Sequence, residues 1–220
     1  MKLYSGPLSL FSRKVEIALG EKGLAFEREI VPFSQAKGYS PKHPGVLAAN
    51  PKAQVPVLVD GDLTLFDSTI IAEYLEDAYP EPPLFPREAK ARARCRLLEL
   101  YGDEILFAQV RHLLYRTEPP HPDPRLQSLR EEEGRQADAA ICVQMSDLQE
   151  QLGEREYFCG AFSVADIALF MTVLFALRLK GPGLDGHPQL AAWHARVRAR
   201  PVVAKVAEEV AACDRALSLR

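Results

Sequence analysis

The sequence has few of the features from which metal sites and disulfide frameworks are built. Its four cysteines lie far apart and form no C-x-x-C pair, and its five histidines are scattered. This spacing argues against a zinc site and against a disulfide scaffold, and it is typical of a protein from a reducing compartment. We therefore expect a protein without a metal cofactor.

Long apolar runs and a strong charge bias are also missing. The longest apolar run, residues 164–179, is too short for a membrane span and contains Asp166 and Arg178, so it predicts a buried core helix. The formal net charge is −3, which gives no general attraction to nucleic acid or to an anionic membrane. The first residues, MKLYSGPLSL, lack the apolar core of a signal peptide. We expect a soluble cytoplasmic protein that binds neither nucleic acid nor a membrane.

The first eighty residues alternate between strand and helix signals. Residues 2–5 and 26–31 are candidate strands on either side of an amphipathic helix. Further on, the apolar runs VPVLV and LTLF flank Asp60, Gly61 and Asp62, and an Asp-Gly pair between apolar runs is a strong hairpin signal. Another helix follows the hairpin. The predicted order, with a short helix before the hairpin, is β-α-β-α-β-β-α.

A proline-rich segment ends this alternation. The stretch YPEPPLFP has four prolines within seven residues, which excludes a helix or a central strand. After it the sequence shows only helical patterns, at residues 87–116, 125–152, 163–179, 188–200 and 202–217. We therefore predict a small α/β domain over residues 1–79, a linker at 80–87 and a larger all-α domain over residues 88–220.

Two short stretches of the first part offer groups that suit a small peptide-like ligand. A cis bond before Pro56 would leave the main-chain N–H and C=O of Val55 free for an extended ligand, whereas a trans proline would simply begin an edge strand. Asp67 and Ser68 stand at the mouth of a helix, where the helix N-terminus suits a carboxylate and Asp67 suits an ammonium group. Both residue types are also good helix caps, so a purely structural role is the alternative.

The stretch SGPLSLFSRKV places Ser5, Ser9 and Ser12 around the start of the first helix. A hydroxyl in the first helical turn can donate a hydrogen bond to a thiolate, whose pKa the helix N-terminus lowers. A polar turn that caps the helix is the alternative. The sequence has no G-x-S-x-G motif, which argues against a hydrolase with a serine nucleophile.

The chain resembles the cytosolic glutathione transferase superfamily over nearly its full length. Three stretches, in this order, carry the resemblance: LYSGPLSLFSRKVEIALGEKGL, NPKAQVPVLVDGDLTLFDSTIIAEYLEDAYP and FSVADIAL. The resemblance implies a thioredoxin-like α/β domain, an all-α domain and a two-fold homodimer. It implies an enzyme that activates the thiol of its co-substrate, glutathione, for attack on a small hydrophobic electrophile, as in detoxification. We expect the electrophile near Ser9 and the helix of Phe107, Arg111 and Tyr115.

The resemblance also assigns binding roles. Val55, before a cis Pro56, corresponds to the residue that pairs with the cysteinyl part of glutathione. Asp67 and Ser68 correspond to the pair that binds the γ-glutamyl end, although the family more often has Glu or Gln in place of Asp67. Two further candidates for binding glutathione lie in the preceding loops: Lys42, where some members place a cation near the glycine carboxylate, and Gln54.

Three residues are candidates for the hydroxyl that holds the thiolate. In serine-type members the catalytic serine lies four residues before the first basic residue of the helix, which corresponds to Ser9, four residues before Arg13. Ser12 is the second choice, because cysteine-type bacterial members place the reactive residue one or two positions later. Tyr4 is the third choice, because tyrosine-type members use a tyrosine near the end of the first strand.

A non-catalytic function is the alternative. LYSGP and LTLF…EYLEDAYPEPPLFP are also similar to the bacterial stringent starvation protein, a transferase-like partner of RNA polymerase whose proline-rich junction contributes to a binding surface. Ser9 argues against this alternative, because that family departs from the serine-type pattern there. Ser163 and Asp166 match a capping box, for which we expect a structural role only.

Overall fold

A four-stranded sheet with the order β2-β1-β3-β4 lies in the first of two units of the computed structural model, which describes residues 1–217. The strands are β1 (Lys2–Ser5), β2 (Glu27–Ile30), β3 (Val57–Asp60) and β4 (Leu63–Phe66). β1 is parallel to β2 and antiparallel to β3, and β3 forms a hairpin with β4. The hairpin turns at Gly61, whose φ of 60° favours glycine.

Three helices complete the predicted β-α-β-α-β-β-α order: α1 (Leu10–Glu21), α2 (Pro44–Ala49) and α3 (Ser68–Ala78). α1 packs against α3, and most of the apolar side chains of α1, together with Ile71 and Leu75 of α3, are buried. β2 is reached from β1 through α1, because a parallel neighbour requires a crossover connection. The prediction of a thioredoxin-like α/β part is thereby confirmed.

The second unit, residues 86–200, is entirely helical over its regular elements. Its α-helices are α4 (Ala89–Leu100), α5 (Phe107–Val110), α6 (Pro124–Leu152), α7 (Val164–Arg178) and α8 (Pro188–Arg198). The single helix predicted over residues 87–116 is interrupted by a π-helical segment (Tyr101–Leu106) and ends in a 3₁₀ segment (Arg111–Thr117). At the interruption Thr172 of α7 donates a hydrogen bond to the carbonyl of Gly102 (3.2 Å).

The apolar run predicted as a core helix forms α7, whose side chains are almost all buried. Asp166 in its first turn confirms the capping box. One carboxylate oxygen accepts hydrogen bonds from the main-chain N–H and the hydroxyl of Ser163 (both 3.0 Å), and the other accepts from the N–H of Phe158 (3.1 Å) and from Trp193 Nε1 (2.9 Å). Asp166 therefore joins the loop before α7 to α8, and its role is structural.

The last helix, α9 (Pro201–Leu217), belongs to the first unit and not to the helical one. This differs from the predicted all-α domain of residues 88–220. The physical reason is that its apolar face is buried against α1, where Val202 packs so closely on Gly20 that a Cβ on that glycine would lie 2.5 Å from Val202 Cγ1. The sequence pattern identifies an apolar face but does not say which helix covers it.

A buried charge cluster ties α9 to α1. Arg13 is 1% exposed, and its Nη1 donates to Glu16 Oε2 (2.7 Å) and to Glu209 Oε2 (2.9 Å). Arg28 of β2 pairs with the same two carboxylates. Burial acts to raise the pKa of Glu209, but the hydrogen bonds and charges of Arg28 and Arg13 outweigh it and hold that pKa below its ordinary value of 4.5.

We predict that Glu209→Gln lowers the free energy of unfolding by about 1–2 kcal/mol at neutral pH, because it removes a carboxylate that accepts charge-assisted hydrogen bonds. The folded pKa of Glu209 is lowered, so its contribution is complete above about pH 4.5 and is lost as the pH falls through the lowered value. Urea denaturation of both proteins across the acid range measures the difference. Glu208→Gln, at an exposed neighbouring position, is the matched control. A difference that stays constant down to pH 3 would contradict this account.

Candidate functional site

Four connections leave the sheet at one edge, and they carry the predicted site residues. In the sheet register Ser5 is opposite Ile30, Tyr4 is opposite Val57, and Val57 is opposite Phe66. The ends of β1, β2 and β4 and the beginning of β3 therefore lie at the same edge. The loop that leads to Ser9, the loop that contains Lys42, the segment before β3 and the mouth of α3 all start or finish there.

Ser9 is the N-cap residue of α1 and lies immediately before its first residue, Leu10. Its Oγ accepts a hydrogen bond from the N–H of Ser12 (3.2 Å), which caps the helix, and its side chain is half-buried. A hydroxyl that accepts one hydrogen bond still has its proton to donate. Ser9 thus offers a donor at the N-terminus of a twelve-residue helix, where the helix dipole favours negative charge.

The other two serines of this stretch lie inside the unit. Ser12 is fully buried, and its Oγ accepts a hydrogen bond from the N–H of Gly6 (3.2 Å). Ser5 is also fully buried and donates to Glu16 Oε1 (2.5 Å). These bonds hold the turn before α1 in place. Among the three serines, Ser9 has the most exposed side chain.

Tyr4, the third candidate hydroxyl, is half-buried on β1. Its ring packs against His43 (ring centroids 5.3 Å apart), and its hydroxyl lies against Gly45 of α2, where a Cβ would be 2.7 Å from the oxygen. Tyr4 therefore fills the space between β1 and the start of α2.

Asp67 combines a helix cap with a strained backbone. Its Oδ1 accepts a hydrogen bond from the N–H of Thr69 (3.0 Å), and its φ of 76° is rare for a residue with a side chain. Its side chain is 44% exposed, and its Oδ2 is 3.9 Å from Lys52 Nζ. Ser68 beside it is buried. Strained residues are often found at functional sites, and here the strain accompanies an exposed carboxylate at the mouth of α3.

The peptide bond between Val55 and Pro56 is cis, as the resemblance implied. The ladder of β3 begins at Val57, so the main-chain groups of Val55 lie before it. Asn50, which the sequence reasoning did not select, organises this segment: its Nδ2 donates to the carbonyl of Gln54 (2.7 Å), and its Oδ1 accepts from the N–H of Lys52 (2.9 Å). Asparagine before proline is a common turn signal, and this was the only hint in the sequence.

The remaining candidates lie at the surface of their own units. Lys42 and Gln54 are exposed in loops of the first unit. In the second unit, Phe107 is half-buried, Arg111 is exposed, and Tyr115 packs against Gly134 of α6.

Within residues 1–217, no helix is long and apolar enough to cross a membrane, and no three His, Cys, Asp or Glu side chains are grouped so as to hold a metal ion.

Comparisons with known proteins match both units. The sequence profile described as "Glutathione S-transferase, N-terminal domain" matches residues 3–83, and the one described as "Glutathione S-transferase, C-terminal domain" matches residues 107–201. A glutathione S-transferase structure from Rhodospirillum rubrum F11 is similar, with a TM-score of 0.78 and 31% identity over 93% of this chain and 90% of that one.

Two curated relatives differ in their names. A "Stringent starvation protein A homolog" from Coxiella burnetii is 33% identical over 85% of this chain and 78% of its own length. "Glutathione S-transferase 1" from Dianthus caryophyllus is 43% identical over a shorter region, 42% of this chain and 41% of that protein. Two profiles that together cover most of the chain, and a similar structure over nearly all of it, establish that the chain belongs to the cytosolic glutathione transferase superfamily.

Proposed function

We propose that the chain is a glutathione transferase that binds glutathione at the sheet edge of its first unit and activates the thiol for attack on a small hydrophobic electrophile. The observation that supports this function best is the placement of Ser9. It has the most exposed side chain of the three serines, at the N-terminus of α1 and at the same sheet edge as Val55 and Asp67.

The γ-glutamyl end of glutathione carries an ammonium group and a carboxylate a few ångströms apart. Asp67 offers a carboxylate to the ammonium group, while the first-turn N–H groups of α3, beside Ser68, suit the carboxylate. Lys52 competes only weakly with the ammonium group of glutathione for the Asp67 carboxylate, because the Lys52 Nζ and Asp67 Oδ2 atoms are 3.9 Å apart and both side chains are exposed. The opposite charges of the headgroup therefore match the two kinds of group present at the mouth of α3.

The cysteinyl part of glutathione is an extended peptide segment. Val55 lies just before the β3 ladder, so its N–H and C=O are outside the pairing of β3 with β1 and β4 and suit main-chain hydrogen bonds to an extended peptide. The sulfur would then lie near the start of α1. A free thiol has a pKa of about 8.5, and a hydrogen bond from the Ser9 hydroxyl together with the helix N-terminus would bring it to roughly 7. Lys42 and Gln54, exposed in the flanking loops, are proposed contacts to the glycine end.

A second candidate function is a non-catalytic regulator that binds RNA polymerase. It is favoured by the relative named stringent starvation protein, whose match spans most of this chain. It is also favoured by the hydrogen bonds that hold the proline-rich junction in place. Lys22 donates to the carbonyls of Tyr79 (2.8 Å) and Pro82 (3.0 Å), so these residues form a fixed surface on the first unit. Retention on immobilised glutathione followed by a conjugation assay distinguishes the two functions, because only the transferase passes both.

We also propose that the chain is a homodimer. The second unit exposes apolar side chains on the 29-residue helix α6, including Leu129 (53% exposed) and Val143 (62%). Closed two-fold dimers are the commonest oligomers, and exposed apolar patches mark association surfaces. Sedimentation at micromolar concentration tests this, and a monomer would contradict it.

We predict that Asp67→Asn weakens glutathione binding about 10- to 100-fold, the equivalent of one charge-assisted hydrogen bond of roughly 1.5–3 kcal/mol. Asparagine keeps an oxygen that can cap α3 and tolerates positive φ, so the melting temperature should change little. Titration calorimetry with glutathione measures the affinity.

Asp67→Ala is the companion variant, and it should lower both affinity and melting temperature because it also removes the cap. If Asp67→Asn binds glutathione as tightly as the parent chain does, Asp67 serves only as a cap and the headgroup site is wrong.

We predict that Ser9→Ala raises the pH midpoint of the conjugation rate by roughly one unit, since it removes the hydrogen bond that favours the thiolate. It should also cost about 1 kcal/mol of stability, because Ser9 caps α1. Glutathione affinity should be nearly intact, because Val55, Asp67 and Ser68 hold the peptide. The measurement is the rate of conjugation of a chromogenic electrophile across the neutral to alkaline range.

Ser9→Thr keeps the hydroxyl and the cap, and it should retain the parent midpoint. A large shift with Tyr4→Phe and none with Ser9→Ala would move the catalytic role to the tyrosine. An unchanged midpoint in both variants would mean that the helix N-terminus alone stabilises the thiolate.

A further inference from the structure

Four side chains form a connected cluster on one face of the sheet in the first unit: Lys2, Tyr4, Glu29 and His43. Tyr4 of β1 is opposite Glu29 of β2 in the register, and Lys2 shares their face because it lies two residues before Tyr4. The Lys2 ammonium group pairs with the Glu29 carboxylate and lies 4.9 Å from the centroid of the Tyr4 ring. His43 joins the cluster from the loop before α2. It therefore connects the sheet to the segment that contains Lys42.

His43 uses both nitrogens of its ring. Nδ1 accepts a hydrogen bond from the main-chain N–H of Gly45 (3.2 Å), which caps α2, and Nε2 lies 2.8 Å from Glu29 Oε1. The hydrogen bond and the charge of Lys2 outweigh burial and hold the pKa of Glu29 below its ordinary value of 4.5, so this carboxylate is an acceptor. Nε2 must then carry the proton and Nδ1 the lone pair. These contacts select the neutral tautomer of His43 that is protonated at Nε2.

The position of α2 depends on few contacts. The helix has six residues, which is too short for stability by itself. Val46, 2% exposed, packs in a core cluster with Val31 and Val57, whereas Leu47 is 54% exposed. One buried side chain holds the helix at a single point. The link from His43 to β2 supplies a second point at the first turn, and two points fix the direction in which the helix begins.

Lys42 lies immediately before the cap residue of α2 and is exposed. Among residues 1–217, none forms an ion pair with Lys42, so its ammonium group is available to a ligand. The long side chain of a lysine has many rotamers, and its reach is set by where its backbone is held. The backbone of Lys42 is held on one side by the capped and linked His43.

We propose that His43, held by Glu29, is a positioning residue that directs Lys42 to the glycine carboxylate of glutathione. The link thereby makes the site prefer the tripeptide to γ-glutamylcysteine, which lacks the glycine. This inference rests on the proposed function, in which glutathione binds at the sheet edge and Lys42 contacts its glycine end. The groups proposed to hold the other two parts of the peptide, at Val55 and Asp67, lie on other segments, so the dipeptide does not need His43.

Titration calorimetry with glutathione and with γ-glutamylcysteine tests the proposal. The parent chain should bind glutathione about two- to five-fold more tightly than the dipeptide, the equivalent of one exposed ion pair. His43→Ala and Glu29→Leu should each reduce this ratio to that of Lys42→Ala, because each removes one side of the link. Neither change should alter the affinity for the dipeptide.

A combined variant separates positioning from a general effect on stability. His43→Ala together with Lys42→Ala should lower the ratio no further than Lys42→Ala alone, because both changes act through the same contact. A purely structural role of His43 would instead weaken the binding of both thiols and would add to the effect of Lys42→Ala.

Two further substitutions on β2 serve as the conservative variant and the matched control. Glu29→Gln keeps an oxygen that accepts from Nε2–H of His43, so it should retain the parent ratio. Glu27→Leu changes a carboxylate two residues earlier on the same face, 3.8 Å from Lys2 Nζ, and it should also retain the ratio. The melting temperature of every variant shows that it is folded.

The outcomes distinguish this inference from the proposed function. A parent chain that binds neither thiol would refute the proposed function and this inference with it. If the parent binds both thiols, either of two results would overturn this inference alone: no preference for glutathione, or equal losses of both thiols in His43→Ala and Glu29→Leu. A nitrogen-15 chemical shift that shows Nδ1 of His43 protonated at neutral pH would also overturn it.

Discussion

The buried guanidinium of Arg13 is the constraint around which the first unit is organised. Taking a charge out of water costs several kcal/mol unless partners satisfy it. Glu16 and Glu209 provide the carboxylates, and the carbonyl of Pro7 accepts from Arg13 Nε (3.3 Å) and Nη2 (3.2 Å). One side chain therefore holds the turn before α1, the helix itself and α9 in a fixed arrangement.

That arrangement decides which hydroxyl is available for chemistry. Pro7 lies two residues before Ser9, so the contacts of Arg13 set the position at which α1 begins. Within the turn, Ser12 and Ser5 are fully buried: the Ser12 hydroxyl accepts from the N–H of Gly6, and the Ser5 hydroxyl donates to Glu16. Ser9 is the serine of this stretch that keeps a partly exposed hydroxyl, with the N-terminus of α1 behind it. The proposed thiolate site thus follows from how a buried charge is neutralised.

Local patterns in the sequence predicted the order of the elements, because each pattern has its cause within a few residues. The Asp60-Gly61 turn, the proline-rich junction and the capping box of Ser163 and Asp166 are of this kind, and the structure contains all three. The features that were missed depend on residues far along the chain. Helix α9 packs on the first unit through Glu209, and the long helix after the junction is interrupted where Thr172 meets Gly102.

The sequence likewise predicted part of the candidate site and missed the features that depend on the folded structure. Val55 and Asp67 were selected from the resemblance and from the chemistry of a helix mouth, and the structure shows the cis bond before Pro56 and the positive φ of Asp67. The spacing to Arg13 ranked Ser9 before Ser12 and Tyr4, but it could not show that Ser12 is buried, because burial depends on the packing of the folded unit. Asn50 was missed because its two hydrogen bonds are visible only once the loop before β3 has its shape.

The most direct test of the central claim, that the sheet edge of the first unit binds glutathione, is to follow backbone amide resonances during a titration with glutathione. The account predicts saturable shifts centred on Ser9, Val55 and Ser68, the three points where the loops at this edge offer N–H groups or lie next to them. Shifts confined to the proline-rich junction, or no saturable shifts at millimolar glutathione, would contradict it.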